Sequence, residues 1–251
     1  MPNTRLRKWS LNLTGGGTPL WAAPPRPAMI ELWYTAFGAA ALPPAVLAAH
    51  VARLPPAWQR RVLACRRPAR QQATLFGALL LQHVLRCRAH PYALEHVLRT
   101  PDNRPYLAGA ALDFNVSHSG RYAVCVLSTT CRVGVDIEER TRTRIAGFQP
   151  HFQPAEWAAL HTADPQEQFY RLWTQKEAVA KADGRGLNIP LRDIRIRHQR
   201  ANLAGTCWHV REIGLTEADA AAYTLHIAAS QPEPIAAPRQ VSFLELEVRP
   251  P

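Results

Sequence analysis

FYRLWTQKEAVAKADGRGL, residues 169–187, decides the reading of this chain. At about 100° per residue, Phe169, Trp173 and Ala180 share one helix face, and Lys176 and Glu177 flank it. Lys181 follows Glu177 by one turn, and Gly184 or Gly186 supplies the positive φ of a helix stop. The chain has 30 Lys and Arg residues, of which three are lysine: Lys8, Lys176 and Lys181. Where arginine serves almost everywhere, lysine is left where a compact, rotatable ammonium is needed. The competing reading is an ordinary i,i+4 Glu–Lys pair on a solvated helix. Charges bordering a face that should be buried are costly unless paired, which keeps the functional reading open.

Outward from this helix, the chain reads as alternating strands and helices. MIELWYTAF (29–37) is a strand, Pro43-Pro44 and Pro55-Pro56 open two short helices, and 69–87 is a long helix. DFNVSHSG (113–120) is a short strand entering a turn. YAVCVLS (122–128) and CRVGVDIEE (131–139) follow, joined by a short polar link that predicts a hairpin. Helices are expected at about 154–161 and 165–182. Strands are expected near 191–197, 206–212, 221–229 and 240–248. LPPAWQRRVL before the first long helix and FQPAEWAAL before the second hint at an internal repeat. The expected fold is α+β: two similar α+β halves, 29–130 and 131–251, with a ligand cleft between them. Residues 1–28, basic and rich in Gly and Pro, are expected to be a disordered extension.

Composition narrows the function. The net charge is +11, and removing the four basic residues of 1–28 leaves +7, so an anionic partner is favoured. Five scattered cysteines without a C-x-x-C pair offer neither a disulfide framework nor a zinc site. A reducing, cytoplasmic setting is expected. No apolar run reaches the roughly 20 residues of a membrane span.

Three constellations carry chemistry. Asp136 and Glu138, two apart in a strand, project to one face and offer hard oxygen ligands for Mg²⁺, or form a solvated strand face. Lys176, Glu177 and Lys181 offer another carboxylate and two ammonium groups. Ser117, His118 and Ser119 lack the G-x-S-x-G elbow of a serine nucleophile and suit a phosphate-holding or plain structural turn. Together they suit catalysis at a pyrophosphate.

With FNVSHSG (114–120), GVDIE (134–138) and the 169–187 helix in this order, the chain resembles a 4′-phosphopantetheinyl transferase of the Sfp type. The resemblance implies a pseudo-dimer with coenzyme A in the cleft between the halves. It implies transfer of the phosphopantetheine arm to a serine of an apo acyl or peptidyl carrier protein, with adenosine 3′,5′-bisphosphate released. It places Mg²⁺ on Asp136, Glu138 and Glu177, and phosphate oxygens on Lys176, Lys181, Ser117 and His118. Trp173 is expected to pack and fix the helix. Glu177, or a metal-bound water, would take the serine proton.

The first half departs from the family pattern. DNRPYL (102–107) stands where an aromatic-Gly-Lys-Pro loop is expected, so only Arg104 and Pro105 carry over as adenine-side contacts. Arg67 or Arg70, in CRRPARQ, is the candidate for the 3′-phosphate, with a solvated helix surface as the alternative. Arg140, Arg142, Arg144, Phe148 and Phe152 form a basic, aromatic link suited to docking an acidic carrier. A monomer is the default expectation. The alternatives are an Mg²⁺-dependent nuclease or phosphoesterase, without a recognisable nucleic-acid motif to support it, and a non-catalytic coenzyme A binding protein.

Overall fold

The apolar periodicities become eleven strands and six α-helices among the described residues of a computed structural model: 29–247 except 39, 88–92 and 161–163. The expectation for 1–28 lies outside them. In the first part come β1 (Glu31–Ala36), α1 (Pro44–Ala52), α2 (Pro56–Leu63), α3 (Pro68–Cys87), β2 (Val97–Arg99), β3 (Pro105–Leu107), β4 (Asp113–Ser119) and β5 (Tyr122–Ser128). The second part holds β6 (Val133–Glu139), α4 (Pro154–Ala159), α5 (Pro165–Asp183), β7 (Arg195–Arg197), β8 (Arg200–Leu203), β9 (Thr206–Glu212) and β10 (Tyr223–Ala229). β11 (Arg239–Gln240) and α6 (Phe243–Glu247) close the described chain.

β2 and β3 form a two-stranded sheet of their own; of the two larger sheets among the described residues, one has the order β11-β1-β5-β4 and the other β6-β10-β9-β8-β7. In both larger sheets, a strand and a long helix precede an antiparallel pair whose second strand inserts beside the first: β1-α3-β4-β5 and β6-α5-β9-β10. The fold is mixed α+β with two similarly connected halves. Strand alternation then builds the layers. Ala123, Cys125 and Leu127 of β5 pack against α3, while Val124 and Val126 meet Val135, Ile137 and Ile227 of the second sheet. On the far side, Ala178, Val179 and Ala182 of α5 cover Val210 and Ala228.

α5 starts at the side-chain cap Asp164, which accepts from the Glu167 N–H at 2.9 Å, with Pro165 in its first turn. It stops at Gly184, φ 93°. Gly134 in β6 lets this helix approach, because a Cβ there would run into the backbone of Ala178 and Ala182.

Three expectations are corrected. The hairpin between 122–128 and 131–139 does not form: β5 is paired on both sides by β1 and β4, and the link 129–132 carries the chain to the second sheet. β5 instead turns from β4 through the two residues Gly120 and Arg121. The strand at 191–197 begins with a 3₁₀ turn, Leu191–Asp193, leaving β7 three residues. The strand at 240–248 is β11, two residues parallel to β1, followed by α6. Ser242 and Glu245 exchange hydrogen bonds as a capping box, and Val241 and Leu246 return to the core of the first half. No helix among the described residues is long and apolar enough to cross a membrane.

Candidate active site

DFNVSHS is a full strand, and its period of two separates two roles. Phe114 faces α3 in the core, and Val116 and His118 follow on that side along a cleft. Asp113, Asn115, Ser117 and Ser119 point to β6 and accept from the N–H groups of Val133, Val135, Ile137 and Glu139, at 2.7, 3.1, 3.5 and 3.1 Å. Each partner lies 20 residues on, so the strands run parallel and the halves are joined by side chains in place of a backbone ladder.

β6 presents Asp136 and Glu138 beside α5, which brings Glu177 and Lys181. With Trp173 they line a cavity of about 290 Å³. Lys181 donates from Nζ to Asp136 Oδ1 at 2.5 Å and to Ser117 Oγ at 2.8 Å. Asp136 is 3% exposed, and its Oδ2 has no hydrogen-bond partner among the described residues. Burial raises the Asp136 carboxyl above its ordinary range against the pull of Lys181. Burial, then the Asp136 charge, pushes Glu138 up to about 7 and also raises Glu177. Among the described residues, no three His, Cys, Asp or Glu side chains already stand in a metal-holding arrangement.

A larger cavity of about 520 Å³ lies alongside, lined by Trp58, Arg61, Arg99, Arg185 and Asn188 among others, and shares Val116, His118 and Lys181 with the acidic one. Burial, then the charges of Lys181, Arg70 and Arg61, holds His118 down to about 4, so its ring is neutral at pH 7. The site is therefore bipolar: arginines in one chamber, carboxylates in the other, Lys181 between them.

The structure relocates several predicted residues. Lys176 does not reach the cleft: it is 0% exposed, pairs with Glu156 at 2.8 Å, and donates to the carbonyls of Leu191 and Ile194 at 3.0 and 2.6 Å. The helix turns it under α4 rather than toward Glu177. Ser117 is 6% exposed, with its hydroxyl engaged by Asp136, Lys181 and Ile137, so it is not free for a phosphate. Arg67 and Arg70 are exposed and line neither cavity.

Arg61 and Arg99 line the larger cavity instead. Arg61 stands in the quoted QRRV stretch of α2, whereas Arg99 comes to the cleft only because β2 folds onto β3, and its guanidinium lies 5.7 Å from the Trp58 ring. Arg104 lines the same cavity, but it is committed to Asp113 at 2.7 and 2.9 Å, the Val133 carbonyl at 3.0 Å and the Lys181 carbonyl. It cross-links the halves.

The expected docking link is corrected in part. Arg140 is held by the carbonyls of Ala221 and Tyr223, and Phe152 is 5% exposed within an aromatic cluster with Phe169 and Trp173. Phe148 joins that cluster half-buried; Arg142 and Arg144 are exposed. Trp173 packs on Phe169 as expected and also lines the acidic cavity.

Comparison with known proteins falls on this region. Residues 132–225 match the family model described as the 4′-phosphopantetheinyl transferase superfamily. A 4′-phosphopantetheinyl transferase of Bacillus subtilis is 36% identical over 98 residues, 38% of this chain and 43% of that protein. The transferase Sfp of B. subtilis strain 168 is 37% identical over 90 residues, 34% and 40% of the two chains. The L-aminoadipate-semialdehyde dehydrogenase-phosphopantetheinyl transferase of Xenopus laevis is 29% identical over 141 residues, 49% and 47%. The chain spans less than half the length of each of these three relatives. Two of the three motif blocks lie within 132–225, and over that segment, with Asp136, Glu138, Glu177 and Lys181 inside it, the chain matches the 4′-phosphopantetheinyl transferase superfamily.

Proposed function

We propose that this protein transfers the 4′-phosphopantetheine arm of coenzyme A to a serine hydroxyl of an apo acyl or peptidyl carrier protein. The observation that carries the reading is the bipolar cleft, in which an arginine-lined chamber and a carboxylate chamber meet at His118 and Lys181. An elongated anion with a pyrophosphate along its length fits such a pair. Its nucleotide end lies against Trp58, Arg61 and Arg99, and its pyrophosphate near Lys181.

The carboxylate chamber fits a divalent cation. It has a buried Asp136 oxygen without a partner and three oxygen donors whose mutual repulsion a cation relieves. Asp136, Glu138 and Glu177 would hold Mg²⁺, which when bound polarises a phosphate and stabilises a leaving phosphate. The chain's own residues do the rest. Lys181 holds Asp136 and faces the anion. His118, neutral, donates its ring N–H to a phosphate oxygen without adding charge. Glu177, its carboxyl raised by burial, accepts the carrier serine's proton as the hydroxyl oxygen bonds to the pantetheine-side phosphorus. The bond from that phosphorus to the adenosine bisphosphate oxygen breaks. Arg142 and Arg144 attract an acidic carrier. The unpaired cysteines Cys65, Cys87, Cys125, Cys131 and Cys207 suit a cytoplasmic setting.

Intact-mass measurement of apo acyl and peptidyl carrier proteins incubated with the chain, coenzyme A and Mg²⁺ tests this. One phosphopantetheinyl unit should be gained, and lost when metal is omitted or with Glu177→Gln. No gain on either carrier class by a folded, coenzyme A-binding chain would overturn the transfer and leave a binding protein.

A further inference from the structure

We infer that Ser119 is a positioning residue: its hydroxyl holds Glu138 toward the carboxylate chamber from the opposite half of the molecule. The inference rests on the proposed reading of that chamber as a divalent-metal site.

The direction of the hydrogen bonds follows from what each group can donate. The Glu139 N–H can only donate, so Ser119 Oγ accepts there at 3.1 Å, and the single hydroxyl proton is left for Glu138 Oε2 at 2.7 Å. The same arrangement repeats two residues earlier. At Ser117 the Ile137 N–H and the Lys181 ammonium both donate, and the hydroxyl proton goes to Asp136 Oδ1 at 3.0 Å. In both pairs the carboxylate lies 19 residues beyond its serine.

The two carboxylates differ in what else restrains them. Asp136 is nearly enclosed and is also gripped by Lys181. Glu138 is only partly buried and has three side-chain torsions, and Ser119 is its hydrogen-bond partner among the described residues. Ser119 lines neither cavity, so it has no route to a ligand of its own. It acts through Glu138. Because it sits on β4 and Glu138 on β6, the chamber keeps its shape only while the first half stays seated on the second.

The test uses the full chain and Mn²⁺ as a spectroscopic probe, with bound and free ion separated by electron paramagnetic resonance. Ser119→Ala should weaken Mn²⁺ binding about tenfold or more, the usual loss when the partner of a metal-holding side chain is removed. Ser119→Thr, which keeps the hydroxyl, should restore it to within about threefold. The KM for coenzyme A should not move, while the metal concentration for half-maximal activity follows the Mn²⁺ ratio.

A cycle with Glu138→Gln guards against a general effect on folding: in that background Ser119→Ala should add little. Mn²⁺ binding by a folded Ser119→Ala equal to wild type, or equal losses with and without Glu138, would make Ser119 a plain strand-to-strand contact and overturn the inference. Failure of the wild-type chain to bind Mn²⁺ at all would overturn the metal reading, and this inference with it.

Discussion

The ammonium of Lys176 and the carboxylate of Glu156 meet at 2.8 Å, with the lysine side chain fully enclosed and two backbone carbonyls completing its donors. Adjacent in sequence to Glu177, Lys176 serves a different purpose. It anchors α5 to α4 and to the turn before β7. Lys176→Met leaves the partly buried Glu156 carboxylate without its cation and should cost about 3 kcal/mol, or roughly 10 °C in Tm. Adding Glu156→Gln should recover part of the loss. A tenfold rise in KM for coenzyme A at unchanged Tm would return Lys176 to the cleft.

Lys181 stands at the junction of the chambers, with its Nζ 2.5 Å from Asp136 Oδ1. Lys181→Ala should lower kcat/KM on the order of 100-fold, as losing one preorganised donor does elsewhere. Lys181→Arg should not rescue it, because a planar fork does not fit where a point charge bridges Ser117 and Asp136. Steady-state kinetics on both variants decide this; wild-type rates for Lys181→Ala would remove it from the mechanism.

The arginines divide into two groups. Arg99→Gln should raise KM for coenzyme A about tenfold, the worth of one charge-assisted hydrogen bond, with kcat nearly unchanged. Arg67→Gln should do neither, since that side chain lies outside both cavities. The opposite ranking would mean that coenzyme A follows another path over α3.

Stability should depend on pH in two opposed ways. Glu138 is held up at about 7, against an ordinary 4.5. As pH rises between these values the unfolded chain loses that proton first, and folding is penalised. His118 is held down to about 4, against an ordinary 6.5, so falling pH in that window protonates the unfolded chain first and again penalises folding. Millimolar Mg²⁺ should therefore raise Tm more at pH 8 than at pH 5.5, because it relieves only the carboxylate term. Differential scanning fluorimetry at both pH values checks this; an equal shift would detach Glu138 from the metal.

Gly134 tests the packing that brings α5 to β6. Gly134→Ala puts a methyl into backbone, which cannot yield as a side chain does, and should cost at least about 2 kcal/mol. Thermal unfolding measures it, and an unchanged Tm would show that α5 has room to move.

Much of this was legible in residue order alone. Apolar periodicity marked the long helices and most strands, because burial of one face imposes its period on any amphipathic element. Pro44, Pro56 and Gly184 marked element ends, since their backbone restrictions act locally. Spacing placed Asp136 with Glu138, and Glu177 with Lys181, because two-residue and four-residue intervals fix a shared face without tertiary help.

Other features depended on which surfaces met. Strand partnership did: β5 and β6 are close in sequence yet lie in different sheets, because β5 is paired on both edges by β1 and β4 while β6 pairs with β10. The exchange of Arg67 and Arg70 for Arg61 and Arg99 depended on how α2 and the β2–β3 hairpin face the cleft. Ser242-x-x-Glu245 was a readable helix signal obscured by the apolar run beside it. The fate of Lys176 was not readable, since its partners Glu156, Leu191 and Ile194 lie 15 to 20 residues away along the chain. Sequence by itself determined the elements and the kinds of chemistry they carry, because these follow from local backbone and side-chain preferences. The tertiary structure decided which charges face the cleft and which are enclosed, because that is set by packing between distant segments.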